Sequence, residues 1–358
     1  MITNFPNNRR IHCETGSFVN TMKYYGIDIT EEMVFGIGSG MYLLFFPWLK
    51  LDGLPLLILR SKPSEIYRNA SRRLGLSYHE MTFGDDKDKA MSTLAELVDR
   101  DIPVTVVSNI FHIPYMAPFT PDKMNFNGHN MVIIGRDGDT YKVADSEMKL
   151  PNDDYTYIDD VDLRITRFMP GPHTPHGRLF YFDKPDPEKF RNFDYRPACW
   201  QGLKDACYNM VGIPFPYFGA KGIHYMANQI RKWEKKYTRE QIEDALYNYY
   251  RLLERAGTGG SGYRYLYSRF ISQCADLFQD EMLTTSAESL VKAADAWRNF
   301  SVEVLHYKKK MDVTLNQLAE ILDEAANYEY LTYSNIKKNF LKKTNDSNII
   351  IRQRENSL

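Results

Sequence analysis

GHNMVIIGRDGDTYKVADSE, residues 128–147, reads as two short strands around a turn, and its register decides what the chain can be. Asp137-Gly138 marks the turn between two apolar runs. A strand sends its side chains to alternate faces, so His129 and Asp145 cooperate only if pairing brings them to one face. A three-residue loop from Arg136 to Gly138, with Gly138 left-handed, pairs position 135 with 139 and sets His129 directly opposite Asp145. A tight two-residue turn sets them on opposite faces. A catalytic pairing of the two therefore demands the bulged turn.

Far upstream, Cys13 stands just before the first expected helix, Thr15 to Tyr25. A thiol is mostly protonated at neutral pH and attacks a carbonyl well only as the thiolate. An imidazole that takes its proton and the positive end of a helix both favour that form. Cys13 with His129 as base and Asp145 as orienter supplies the parts, the carboxylate fixing the imidazole tautomer and stabilising the imidazolium. A lone cysteine or a strand histidine is ordinarily structural; the combination points to catalysis. The backbone N–H of Cys13 is one natural oxyanion donor, and Asn7 or Asn8 could offer a side-chain amide, with Asn7 preferred.

The length of 358 residues suggests two domains or one large one. A hydrophobic share of 43%, a charged share of 25% and a net charge of -1 describe an ordinary globular chain with no electrostatic case for nucleic acid. The most apolar stretch, Met41 to Leu59, is interrupted by Pro47, Lys50, Asp52 and Pro55, so it reads as core strand and turn and no membrane span is expected. The opening MITNFPNNRRIHC has no apolar signal segment, from which a cytoplasmic location is expected. Cysteines 13, 199, 207 and 274 form no CxxC pair and fit free thiols.

Along the chain, residues 1–182 alternate helix and strand signals, with helices expected near Pro63–Leu74 and Asp88–Asp101 and strands at LPLLILR, PVTVVSNI and GRLFYFD. The charged segment KPDPEKFRNFDYRP makes 183–197 a linker in which Pro185, Pro187 and Pro197 break any helix. Residues 198–342 are helical in pattern, and 343–358 form a polar tail.

Weaker motifs remain. GTGGSGY, residues 257–263, lacks the Lys-Ser/Thr of a phosphate loop and follows a helix, so it reads as a helix cap with a tight connection or as an arm for a phosphate-like ligand. Gly259, Gly260, Tyr263 and Arg264 are the substrate-binding candidates there. His173 and His176 lack a third metal ligand, so no metal is expected. The acidic run Asp153, Asp154, Asp159, Asp160 and Asp162 reads as solvated loop sooner than as an attractor of cationic amines.

IHCETGSFVNTMKYYGIDITEEMVFGIGSGMYLLFF and the hairpin segment resemble the N-terminal domain of the butirosin biosynthesis protein H family. FGAKGIHYMANQIRKWEK, GTGGSGYRYLYSRFISQCADLF and Trp297 resemble the helical domain that commonly follows it. The resemblance implies an α+β fold, a papain-like cysteine protease fold at the N-terminus followed by a mainly α-helical domain. It carries over Cys13 as nucleophile, His129 as base and Asp145 as orienter. It implies transfer of an acyl chain from the phosphopantetheine thioester of an acyl or peptidyl carrier protein to a small amine or diamine, with no bound cofactor. The helical domain is expected to keep water from the acyl-enzyme. A cysteine peptidase or amidase using the same residues is the rival reading, and a non-catalytic binding or scaffold protein is the second.

Overall fold

The computed structural model describes residues 2–51, 54–119, 126–148, 155–171 and 173–342. The chain divides into two compact units, residues 1–34 with 63–193 and residues 35–62 with 194–358. It thus departs from the expected single division: Phe35–Lys62 groups with the helical part.

In the first unit, α1 (Cys13–Tyr24) leads the chain, and Glu31 opens α2 (Glu31–Ile37). The hairpin β1 (Met41–Leu51) and β2 (Leu54–Arg60) belongs to the second unit. The first unit resumes with α3 (Glu65–Arg73), β3 (Tyr78–Met81), α4 (Lys87–Asp99) and β4 (Val104–Asn109). It continues through β5 (Asn127–Asp137), β6 (Thr140–Ala144), β7 (Thr156–Asp159), α5 (Asp160–Phe168) and β8 (Leu179–Phe182). The sheet order is β3-β8-β4-β5-β6-β7 and every pairing is antiparallel.

β5 is buried on both faces over most of its length, which is why its central residues Met131, Val132, Ile133 and Ile134 form an unbroken apolar run. Met131 and Ile133 join Leu94, Val98, Val106 and Leu163 in one core, while Val132 and Ile134 meet Ile2, Phe5 and Ala144 on the other face. α1 packs on β5 and α3. Elements that escape the sequence reading include α2, β3, β7 and α5, whose N-cap Asp159 and first-turn Asp160 and Asp162 come from the acidic run. Asp153 and Asp154 lie outside the described residues.

The turn of the hairpin is the tight one. Asp137 pairs with Thr140 around Gly138, which is left-handed at φ 55°, and Asp139. The extra residue sits instead within β5, where register shifts between Ile133↔Val143 and Gly135↔Lys142. A bulge at Ile134 reverses the parity that the tight turn imposes. Continued past Val132↔Ala144, the register sets Met131 against Asp145 and His129 against Glu147, so His129 and Asp145 share a face as diagonal neighbours. The requirement for one extra residue holds; its place in the turn does not.

In the second unit, α8 (Gly219–Ile230) and α9 (Arg239–Glu254) pack on β1 and β2, with Phe45 N donating to Tyr217 O at 2.9 Å. A cut near residue 183 would strip that hairpin of these helices. The remaining elements are α7 (Arg196–Cys207), α10 (Arg264–Phe278), α11 (Glu281–Lys308) and α12 (Leu315–Asn335), after a short α6 (Glu188–Arg191) in the first unit. Pro197 does not interrupt α7, because it lies in the first turn, where no intrahelical N–H bond is required. Thr238 with Gln241 and Thr314 with Gln317 form capping boxes that start α9 and α12. No described helix is long and apolar enough to cross a membrane.

Candidate active site

Cys13 is the first residue of α1, two places earlier than the sequence suggests, because His12 is extended at φ -129°, ψ 131° and acts as N-cap without a side-chain cap bond. Glu31 does the capping from a distance. Its Oε2 accepts from Ile11 N at 3.0 Å, and its Oε1 accepts from His12 N and Thr15 Oγ1, each at 2.8 Å. Glu14, beside Cys13, accepts from Tyr67 N at 3.0 Å and ties α1 to α3. These carboxylates fix the position of the helix start. Burial raises Glu31 above the usual carboxylate range, against the lowering effect of the Ile11, His12 and Thr15 donors.

The strand that follows Asp145 reaches α1 because residue 16 is glycine. A Cβ there would collide with Ser146 Oγ and with Arg10. The close approach lets Arg10 N donate to Ser146 O at 2.7 Å, so the segment before Cys13 and the segment carrying Asp145 are joined through the backbone.

Within this frame His129 Nε2 and Asp145 Oδ2 stand 2.7 Å apart, both side chains almost wholly buried. Tyr115, which sequence reading missed, donates its hydroxyl to the same Oδ2 at 2.9 Å, and Glu147 N donates to Oδ1 at 3.1 Å. With Asp145 on Nε2, the other ring nitrogen, Nδ1, is left to face Glu147 Oε2 at 3.7 Å. Cys13, His129 and Glu147 each bring a sulfur, nitrogen or oxygen ligand atom within 4.8 Å of the others. Burial is the largest single effect on His129 and disfavours its cation. Asp145, by charge and hydrogen bond, and the Cys13 thiol outweigh it and hold the imidazole well above its ordinary range. Tyr115 is pushed far above the phenol range by burial and by Asp145, so it is a permanent donor. The geometry sets the Cys13 thiol beside an imidazole whose far side is anchored by a carboxylate, an arrangement in which the imidazole can take the thiol proton.

Asn7 belongs to this cluster but donates Nδ2 to Asp145 O at 3.4 Å, and its Oδ1 is buried without a partner. Asn8 is exposed and accepts from Asn20 through its backbone oxygen at 2.9 Å. A side-chain amide does reach the thiol, that of Asn130, whose Nδ2 lies 4.0 Å from Cys13 Sγ and 3.1 Å from Gly128 O. Asn130 thus places an amide beside Cys13, while the Asn7 amide is turned to Asp145 O. Among the described residues Cys13, His129 and Glu147 are also the one trio of His, Cys or acidic side chains close enough to hold a metal ion, where the sequence suggested none. His173 and His176 are both exposed, with left-handed backbones, and belong to no such group.

The second-unit candidates sit differently from the expectation. Arg264 is fully buried and bound to Glu329, Nε to Oε1 at 2.9 Å and Nη2 to Oε2 at 3.3 Å, while Trp297 Nε1 donates to the same Oε1 at 2.7 Å. Tyr263 is buried and stacks on Phe35 with ring centroids 5.1 Å apart. Gly260 N donates to Thr258 Oγ1 at 3.1 Å and Ser261 N to Glu254 Oε1 at 3.0 Å, leaving Gly259 as the exposed member. Thr258 of the loop and Glu254 at the end of α9 take up these backbone donors, and the Arg264 guanidinium is held by Glu329 and Gly262 O.

Residues 12–146 match the family model described as butirosin biosynthesis protein H, N-terminal, and residues 161–335 match a domain of unknown function, DUF4872. No curated protein matches the chain. Among solved structures, one described as a C39-like peptidase from Bacillus anthracis matches with 15% identity and a TM-score of 0.33, over 51% of this chain and 96% of that one. That likeness is too distant to assign roles to residues.

Proposed function

Because residues 12–146 place the chain in the butirosin biosynthesis protein H family, a family of cysteine-type biosynthetic enzymes, we propose that it is an acyltransferase forming an amide from a carrier-protein thioester and a primary amine. The observation that carries the reading is the assembled set of Cys13, His129 and Asp145 at the start of a buried helix. The donor is the phosphopantetheine arm of an acyl or peptidyl carrier protein, and the acceptor a small amine or diamine.

In the first step the Cys13 thiolate attacks the thioester carbonyl, and the negative charge that gathers on the carbonyl oxygen is met by the Cys13 N–H and the Asn130 amide. The pantetheine sulfur leaves and takes the proton held on His129. The acyl group is then on Cys13. An amine attacks this second thioester, the amide C–N bond forms, the acyl carbon–Sγ bond to Cys13 breaks, and His129 takes the proton released by the amine. The thioester arrives already activated, so the reaction requires no nucleotide.

The test offers the protein acyl thioesters, on a carrier protein and on short pantetheine mimics, beside a panel of labelled peptides. Amide formed from a thioester and an added primary amine supports the reading. Peptide cleavage with thioesters left intact would replace it with the peptidase reading.

A further inference from the structure

The triad accounts for one proton too few. A primary amine with a pKa of about 10.4 is almost wholly an ammonium ion at neutral pH. Turnover from that ion reads R′NH3⁺ plus acyl-Cys13 giving the amide, the Cys13 thiol and a free proton. Two N–H protons therefore leave the nitrogen. One is needed to restore the thiol and travels by way of His129. The other must leave before attack, since an ammonium nitrogen has no lone pair, and it has no acceptor within the triad. Water as nucleophile needs only one base, because a neutral water molecule already carries its lone pair. Aminolysis from the ammonium form thus needs a second proton acceptor that hydrolysis does not.

We infer that Glu147 is that second acceptor, binding the incoming ammonium group and taking its first proton, so that amines are selected over water at the acyl-enzyme. The inference rests on the acyltransferase reading above and extends it. Three features place Glu147 there. Its Oε2 lies 3.7 Å from His129 Nδ1, the ring nitrogen that faces the thiol side. Its carboxylate is within 4.8 Å of a ligand atom of Cys13, so a nitrogen about 3 Å from the acyl carbon falls within its hydrogen-bond reach. Its backbone N–H is fixed to Asp145 Oδ1 at 3.1 Å, which holds the residue in the site, while its side chain keeps 22% of its surface exposed and can release a proton to solvent.

The surrounding charges suit the task. The groups facing Glu147 are His129 on β5, Asp145 on its own segment, Cys13 on α1 and Glu31 on α2. Burial raises Glu147 above the ordinary carboxylate range, Asp145 and Glu31 add to this, and His129 opposes it. A carboxylate so raised is a stronger base than one in water. After acylation the proton of His129 has left with the pantetheine thiol, so an approaching ammonium group faces the carboxylates of Asp145 and Glu147.

The experiment follows the full-length protein loaded with an acyl group from a pantetheine thioester and measures the ratio of amide to free acid. Wild type and Glu147→Gln are compared with a strongly basic amine, such as n-propylamine, and a weakly basic one, such as trifluoroethylamine, that is already neutral at pH 7. The expected result is an amide-to-acid ratio in Glu147→Gln lower by about 10²-fold for the basic amine and close to wild type for the weakly basic one. An equal fall for both amines would reduce Glu147 to a structural support of His129, and an unchanged ratio would remove it from the reaction. Failure of wild type to form amide with either amine would overturn the acyltransferase reading itself, and this inference with it.

Discussion

Replacing Asp145 by Asn changes one atom and sets two requirements against each other. In the wild type, Oδ2 accepts from His129 Nε2 at 2.7 Å and Tyr115 O–H at 2.9 Å, and Oδ1 accepts from Glu147 N at 3.1 Å. An asparagine whose NH2 takes the Oδ2 place presents donors to the Tyr115 hydroxyl and to Nε2. The imidazole then accepts at Nε2 and carries its proton on Nδ1, where it can no longer take one from the thiol. An asparagine turned the other way keeps an oxygen toward His129 but points its NH2 at Glu147 N–H, a donor against a donor. Either orientation also removes the charge that raises His129, and burial then drives the imidazole toward its neutral form, collapsing the thiolate–imidazolium pair. Loss of the correct tautomer costs about 10⁴-fold in rate, roughly 5.5 kcal/mol of barrier. The assay is the single-turnover rate at which Cys13 takes up an acyl group from a pantetheine thioester, with iodoacetamide alkylation of Cys13 as a second readout. Asp145→Asn should be slower by about 10³- to 10⁴-fold in acylation. Acylation within tenfold of wild type would refute the assignment of Asp145 as the orienter of His129.

Further outcomes follow from the same geometry. Tyr115→Phe removes one of the donors to Asp145 and leaves the others, so acylation should slow by about tenfold, in line with roughly 1.5–3 kcal/mol for a hydrogen bond to a charged group shared among several; a loss as deep as that of Asp145→Asn would contradict a supporting role. Glu329→Ala strands the buried Arg264 guanidinium and the Trp297 N–H, and should cost about 3–5 kcal/mol in the urea-induced unfolding of the helical unit; a shift below about 1 kcal/mol would show that the pair is dispensable.

The sequence exposes some parts of this site and hides others for physical reasons. Cys13, His129 and Asp145 are legible because each stands at a local boundary that short-range patterns mark: a helix start, the entry to an apolar strand, and its return. The face they share is half legible. Parity shows that one extra residue is required, but Asp137-Gly138 is where a turn is visible, and the bulge at Ile134 lies in a run of apolar residues that carries no mark. Tyr115 and Glu31 are hidden because they reach the site through packing, Tyr115 from 30 residues before Asp145 and Glu31 from 19 residues after His12. Glu147 stands in the quoted hairpin itself, yet it gains meaning only once register sets it against His129. Arg264 misleads in the opposite direction: beside a glycine-rich loop it reads as a ligand arm, while the carboxylate that holds it lies 65 residues on, at Glu329 in the middle of α12. The hairpin of β1 and β2 is read correctly as core strand and turn, but nothing local shows that its partners are α8 and α9.

The most direct measurement is the intact mass of the full-length protein after brief exposure to a carrier-bound acyl thioester, for wild type and Cys13→Ala, followed by addition of a primary amine. The account predicts a single acyl adduct that maps to Cys13, is missing in Cys13→Ala, and disappears on addition of amine as the amide appears. An adduct on Cys199, Cys207 or Cys274, or no adduct from any thioester, would contradict it.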